Sequence, residues 1–157
     1  MTSRYVGMFF AVLLYVGSAH ATTIHGRVVS VADGDTITLL GKSNQQHLIR
    51  LAEIDAPEKK QAFGEQSRRT LSSLIAGKHV EARCPSTDRY NRKICTIFHE
   101  GIDINEKMVL AGMAWVYRAY SRSQYYLQAE DLARKQKVGL WVDLNPTPPW
   151  EWRHRQE

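Results

Sequence analysis

The order of the hydrophobic patterns constrains this chain more than any other feature: three strand-like segments with short turns, then one helix, then a hairpin. Residues 23–31 are rich in Thr, Val and Ile, and Asp33-Gly34 is a hairpin turn signal. Residues 36–40 are β-branched and apolar, and Gly41-Lys42-Ser43-Asn44 breaks them. Residues 47–54 (HLIRLAEI) alternate, with Leu48, Arg50, Ala52 and Ile54 on one parity, which predicts a third strand. Phe63, Ser67, Leu71, Leu74 and Ile75 then recur at helical spacing until Gly77. Residues 80–84 and 93–98 form a second hairpin pattern. Asp103-x-x-Glu106 resembles a capping box opening a short helix over 105–111, stopped by Gly112. A third helix is predicted over 123–137, with Tyr126, Ala129, Leu132 and Ala133 inward and Gly139 ending it; residues 145–157 (NPTPPWEWRHRQE) are a Pro- and Trp-rich tail. Five strands with a helix between the third and fourth is the order of an OB-type β-barrel, an α+β fold, although the pattern alone also suits other α+β folds.

The N-terminal segment reads as an address rather than as part of that fold. Arg4 is followed by the apolar run 6–16 (VGMFFAVLLYV) and by Ala19-His20-Ala21, the small-x-small pattern of a signal peptidase site. The run is too short for a membrane span, which needs about 20 apolar residues. We therefore expect a signal peptide over 1–21, a folded domain over 22–142 and a tail over 143–157. The mature chain is expected in the periplasm or the medium, as a monomer with no stable membrane association. The full chain carries a net charge of +5. Losing the leader removes Arg4 and no acid, so the mature chain stays basic, which suits a polyanionic partner without requiring one. Two cysteines are too few for a disulfide-stapled scaffold or a Cys-rich zinc module. In an oxidising compartment Cys84 and Cys95 are expected to pair across the second hairpin, the alternative being two buried thiols.

Three polar groups at strand edges carry the chemistry: Asp33-Gly34-Asp35-Thr36, then Arg50 with Asp55-Ala56-Pro57-Glu58, then Asp88-Arg89-Tyr90-Asn91-Arg92. If the second and third strands pair, Asp35 at the start of one approaches Asp55 at the end of the other. Converging carboxylates repel unless a proton or cation intervenes. A hard cation with oxygen ligands, such as Ca²⁺, is one such cation. Arg50 and Arg92 offer planar forks for phosphate oxygens, and Glu58 is a candidate acid or base. Each feature also has a plainer reading: Asp35 as turn chemistry, Glu58 at a helix N-terminus, Arg50 in a surface ion pair, Arg89, Arg92 and Lys93 as a solvated hairpin tip. The histidines show no ligand-like spacing. Trp115 is expected in the core, and Trp150 and Trp152 in a tail packed against the barrel.

The joint order of DGDT (33–36), RLAEIDAPE (50–58), DRYNR (88–92) and AWVYRAY (114–120) resembles the thermonuclease family, the nucleases like staphylococcal nuclease. The resemblance implies an OB barrel that hydrolyses DNA and RNA phosphodiesters with calcium, with low sequence specificity, leaving 3′-phosphates. It implies calcium ligands at Asp35, Asp55 and the backbone carbonyl of Ala56. It places Arg50 and Arg92 on the scissile phosphate and Glu58 on the attacking water. Arg89, Tyr90 and Tyr120 are the expected substrate contacts, Tyr120 matching a nucleotide-contacting position. Asn91 stands where the family has a turn Gly, and Asn tolerates the left-handed conformation. The alternative is a non-catalytic nucleic-acid-binding OB module; retention of the acidic and Arg positions argues against it. A partner-binding exported domain with incidental charge is a third reading.

Overall fold

The computed structural model describes residues 21–156. The expected signal peptide lies outside the described residues, apart from Ala21. The chain runs β1 (Thr22–Val31), β2 (Thr36–Leu40), β3 (Gln46–Leu51), β4 (Ile54–Asp55), α1 (Gly64–Ile75), β5 (His79–Thr87), β6 (Lys93–His99), β7 (Ile102–Asp103), α2 (Ile104–Leu110), β8 (Trp115–Val116), α3 (Gln124–Gln136) and α4 (Pro149–His154). Strand order is β3-β2-β1-β5-β6, and β6 returns to pair with β3, so these five strands close into a barrel. All its ladders are antiparallel except the closing β3–β6 pair. The fold is therefore the expected α+β OB barrel, with α1 inserted between the third and fourth barrel strands.

Alternation explains the barrel interior. Ile37 and Leu39 of β2, Ile49 and Leu51 of β3, and Ala82 and Ile97 of β5 and β6 point inward and are fully buried. Leu71 and Ile75 pack into the core from α1, which buries the expected Ser67, Leu71 and Ile75; Phe63, expected on the same face, instead precedes the helix at φ +65° and packs against the cluster of Trp115 and Trp141, and Leu74 is only partly buried. Each fully buried apolar side chain contributes about 1.5–3 kcal/mol relative to exposure. Asp103 caps α2 as expected, accepting from the Glu106 N–H at 3.0 Å. Cys84 and Cys95 form a disulfide between β5 and β6, beside the irregularity between Arg83 and Ser86.

Two further expectations need correction. The predicted strand 47–54 is not continuous: β3 ends at Leu51, the chain turns through Glu53 at φ +64°, and β4 pairs instead with β8. The turn arises because Arg50 folds its guanidinium back to donate to the carbonyls of Leu51 and Ile54, both at 2.8 Å. Those acceptors are consumed inside the turn, and Ile49 and Leu51 rather than Leu48 face the core. On α3 the inner face includes Tyr126, Ala129 and Ala133 but not Leu132, which is 46% exposed; Glu130 is buried in its place. The tail does pack on the barrel. Trp150 joins a second apolar cluster of Trp115, Ala133, Leu140 and Trp141.

Candidate active site

The β1–β2 turn positions Asp35. Asp33 accepts from the Asp35 N–H at 3.0 Å, and Gly34 lies so close to α1 that a Cβ there would strike the Ser67 hydroxyl. The next residue, Thr36, faces Arg50 in the β2–β3 ladder. This register delivers Asp35 to the place where β3 turns into β4. Asp35 is 6% exposed and Asp55 1%. Arg50 Nη2 lies 3.2 Å from Asp35 Oδ2 and 2.9 Å from Asp55 Oδ1, bridging the two carboxylates. Asp35 Oδ2 also accepts from the Ala56 N–H at 2.6 Å. Burial pushes the Asp35 carboxyl up to about 7, Arg50 opposes this, and the negative charges of Asp33 and Asp55 add to it.

Glu58 sits in the turn that leads into α1. Its N–H donates to Gln61 Oε1 at 3.1 Å, and its carbonyl packs against Gly64 so closely that a Cβ would collide with it. Arg92 precedes β6. In the parallel β3–β6 ladder Ile49 faces Lys93 and Arg50 faces Ile94, so Arg92 stands one residue before the start of that ladder. Asp88 holds it: Oδ2 accepts from Arg92 Nε at 2.8 Å, and Oδ1 accepts from the Arg92 and Tyr90 N–H groups, both at 2.9 Å. Burial pushes the Asp88 carboxyl up, but these donors outweigh it and hold it below its ordinary value. Asn91 takes φ +61°, the left-handed turn expected of it.

Asp35, Arg50, Asp55 and Ala56 thus form one contact cluster, and Glu58 joins it through a residue the sequence reading missed. Arg153 of α4 donates to Asp55 from Nη2 to Oδ2 at 2.8 Å and from Nη1 to Oδ1 at 3.3 Å, and from Nη1 to Glu58 Oε1 at 2.7 Å. The remaining predicted residues lie outside the cluster. Tyr90 is exposed, with the guanidinium groups of Arg89 and Arg92 at 5.0 and 5.6 Å from its ring centre. Tyr120 is exposed and edge-on to Tyr117 at 4.9 Å.

The staphylococcal nuclease homologue family model matches residues 48–143. An "uncharacterized endonuclease" of Haemophilus influenzae is 47% identical over 83% of this chain and 74% of its own. This chain belongs to the staphylococcal nuclease family. A micrococcal nuclease of Shigella flexneri is 39% identical over 91% of this chain and 88% of its own, and the staphylococcal-like nuclease CAN1 of Arabidopsis thaliana is 38% identical over 67% and 32%.

In this nuclease-family chain the matched segment runs from β3 to residue 143 and stops short of both Asp35 and Arg153. The two buried carboxylates of the cluster offer only oxygen, which suits a hard cation completed by water; the Ala56 group that meets Asp35 is its N–H. Among the described residues no group of three or more His, Cys, Asp or Glu is arranged to hold a metal, and the Glu58 carboxylate is turned to Arg153. A second residue missed from sequence is Glu130. Its buried carboxylate accepts from the Val116 N–H at 2.7 Å and pairs with Arg118 and Arg134. Val116 faces Ile54 and Trp115 faces Asp55 across β4–β8, so α3 positions Asp55 through this bond. An acidic residue one position after Ala129 reads as solvated on a helical wheel. Only the opposing strand makes it internal.

Proposed function

We propose that this protein is a calcium-dependent nuclease that hydrolyses phosphodiester bonds of DNA and RNA with low sequence specificity and leaves 3′-phosphates. The observation that carries the reading is the buried Asp35–Asp55 pair bridged by the Arg50 guanidinium. Calcium held by Asp35, Asp55 and the Ala56 carbonyl supplies positive charge for the anionic phosphate.

The chain's own groups do the rest. Arg50 and Arg92 bind the scissile phosphate and stabilise the negative charge that grows on its oxygens. Glu58 orients or deprotonates the attacking water. The water oxygen bonds to phosphorus, the bond from phosphorus to the 5′ oxygen breaks, and solvent protonates that oxygen, so the phosphate stays on the 3′ side. Arg89, Tyr90 and Tyr120 grip the strand by charge and by stacking, which tolerates any base. A segment over 1–21 that exports the chain, a nuclease domain over 22–142 and a tail over 143–157 complete the reading. The disulfide fits an oxidising compartment. Among the described residues no helix is long and apolar enough to cross a membrane.

The test is digestion of plasmid DNA and of an RNA of defined sequence, with calcium and with a chelator, followed by end-group analysis. Calcium-dependent cleavage leaving 3′-phosphates is expected, lost in Asp35→Asn and in Arg92→Ala while the fold persists. A shifted but intact nucleic acid would support the binding-module alternative instead. Wild-type rates in either variant would refute the residue roles.

A further inference from the structure

The tail contact is specific. Gln61 Nε2 donates to the Thr147 carbonyl at 2.6 Å, Pro149 is buried, and the Trp150 ring stacks on Tyr117 at 5.5 Å with the planes 2° apart. Trp150 also meets Trp115 edge-on at 5.6 Å. These contacts are neutral and lie outside the carboxylate cluster, so α4 has docking energy of its own. They deliver Arg153 to both oxygens of Asp55 and to one of Glu58. The Arg153 side chain is 41% exposed, so it can swing into solvent without unpacking Trp150.

We infer that Arg153 is a built-in counter-cation of the metal site: it neutralises Asp55 and Glu58 in the metal-free protein and must be displaced when a divalent cation binds. The inference rests on the metal reading proposed above. A hard cation takes carboxylate oxygens at 2.3–2.6 Å, on the lone pairs that the guanidinium now uses. Asp55 Oδ1 is already shared between Arg50 at 2.9 Å and Arg153 at 3.3 Å, and Oδ2 accepts from Arg153 at 2.8 Å. Two cations cannot occupy these lone pairs together, and their mutual repulsion favours expulsion of the one with an exit to water. Arg50, tied to two backbone carbonyls, has no such exit. The tail therefore raises the cation concentration needed to fill the site and keeps the carboxylates paired until then.

The experiment is calorimetric titration of Ca²⁺ into metal-free wild type, Arg153→Gln and Arg155→Gln. Arg155 pairs only loosely with Glu151, at 3.7 Å, so its variant removes the same charge from the tail without touching the cluster. Charge-assisted pairs of this kind, discounted for exposure, correspond to about a tenfold change in affinity. Calcium should bind Arg153→Gln about tenfold more tightly than wild type, and Arg155→Gln within about twofold of it. Equal shifts in the two variants, or weaker binding to Arg153→Gln, would overturn the inference while leaving the metal reading intact. Absence of calcium binding in every protein would overturn both. A measurement on the wild type covers the case in which Arg153→Gln does not fold: the Arg153 Nε–H resonance should move to that of a solvated arginine as calcium saturates. An unmoved resonance at saturation would refute displacement.

Discussion

Replacing Glu130 with alanine tests how α3 holds Asp55 in place. Glu130 is 1% exposed and its carboxylate accepts from the Val116 N–H at 2.7 Å, Arg118 Nη2 at 3.0 Å and Arg134 Nε at 3.0 Å, with Arg134 Nη2 at 2.8 Å completing the ion pair. Truncation leaves the Val116 N–H buried without an acceptor, a cost of about 1–3 kcal/mol. The vacated volume adds about 1 kcal/mol. The two arginines lose little, because Arg118 is 62% exposed and Arg134 keeps its stacking on Trp141 at 3.7 Å. The expected loss is about 2–4 kcal/mol in urea unfolding of the metal-free protein, followed by tryptophan fluorescence. Glu130→Gln keeps an acceptor for Val116 and should lose about 1 kcal/mol. Because Val116 and Trp115 pair with Ile54 and Asp55, the alanine variant should also lose about 10²-fold in nuclease rate, the penalty typical of a misplacement near 1 Å. The reasoning fails if Glu130→Ala stays within about 1 kcal/mol of wild type, or if glutamine is as damaging as alanine.

Arg50→Lys keeps the charge but not the fork that serves two carbonyls and two carboxylates; we expect a loss of about 2 kcal/mol in urea unfolding and about 10²–10³ in cleavage rate, and a rate within threefold of wild type would contradict the role of the fork. Reducing the Cys84–Cys95 bridge should lower stability by about 3 kcal/mol on the chain-entropy account, read as a lower urea midpoint; an unchanged midpoint would show that the β5–β6 pairing suffices alone. Burial and the Asp103 carboxylate, which accepts from the Tyr126 hydroxyl at 2.8 Å, raise the Tyr126 phenol far above its ordinary value. The folded state therefore keeps a proton that the unfolded chain gives up from about pH 10, so this contribution is complete below pH 10 and lost above it, at about 1.4 kcal/mol per pH unit. Tyr126→Phe should flatten the alkaline stability curve by that slope, and parallel curves for the two proteins would refute it.

Local signals were legible where one element decided the outcome. The Asp-Gly turn, the Ser67-to-Ile75 spacing, the Asp103 cap and the positive φ of Asn91 each depend on residues within a few positions, and the structure bears them out. The break after Leu51 was not legible, because it depends on where a long Arg50 side chain finds acceptors rather than on alternation. Leu132 and Glu130 exchange their expected environments for a related reason: β8 presents an unpaired N–H to α3, and an acceptor there outweighs an apolar side chain. Arg153 stands nearly a hundred residues from its partners, and no local pattern in the tail announces carboxylates waiting across the fold.

Arg50 shows why the site and the fold cannot be varied separately. Its Nη1 ends β3 by taking the Leu51 and Ile54 carbonyls, and its Nη2 bridges Asp35 and Asp55. The same turn that brings Asp55 beside Asp35 also frees β4 to pair with β8. The parallel β3–β6 contact that closes the barrel begins at Lys93, one residue after Arg92. Bringing two carboxylates together costs stability, and the structure offsets it with cations drawn from distant parts of the chain: Arg50 from within the barrel and Arg153 from the tail. The first is fixed by backbone acceptors and the second by stacked rings with an open path to water. The proposed exchange of Arg153 for a solute cation requires this asymmetry, since two equally fixed arginines would exclude the ion and two loose ones would leave the carboxylates to repel each other.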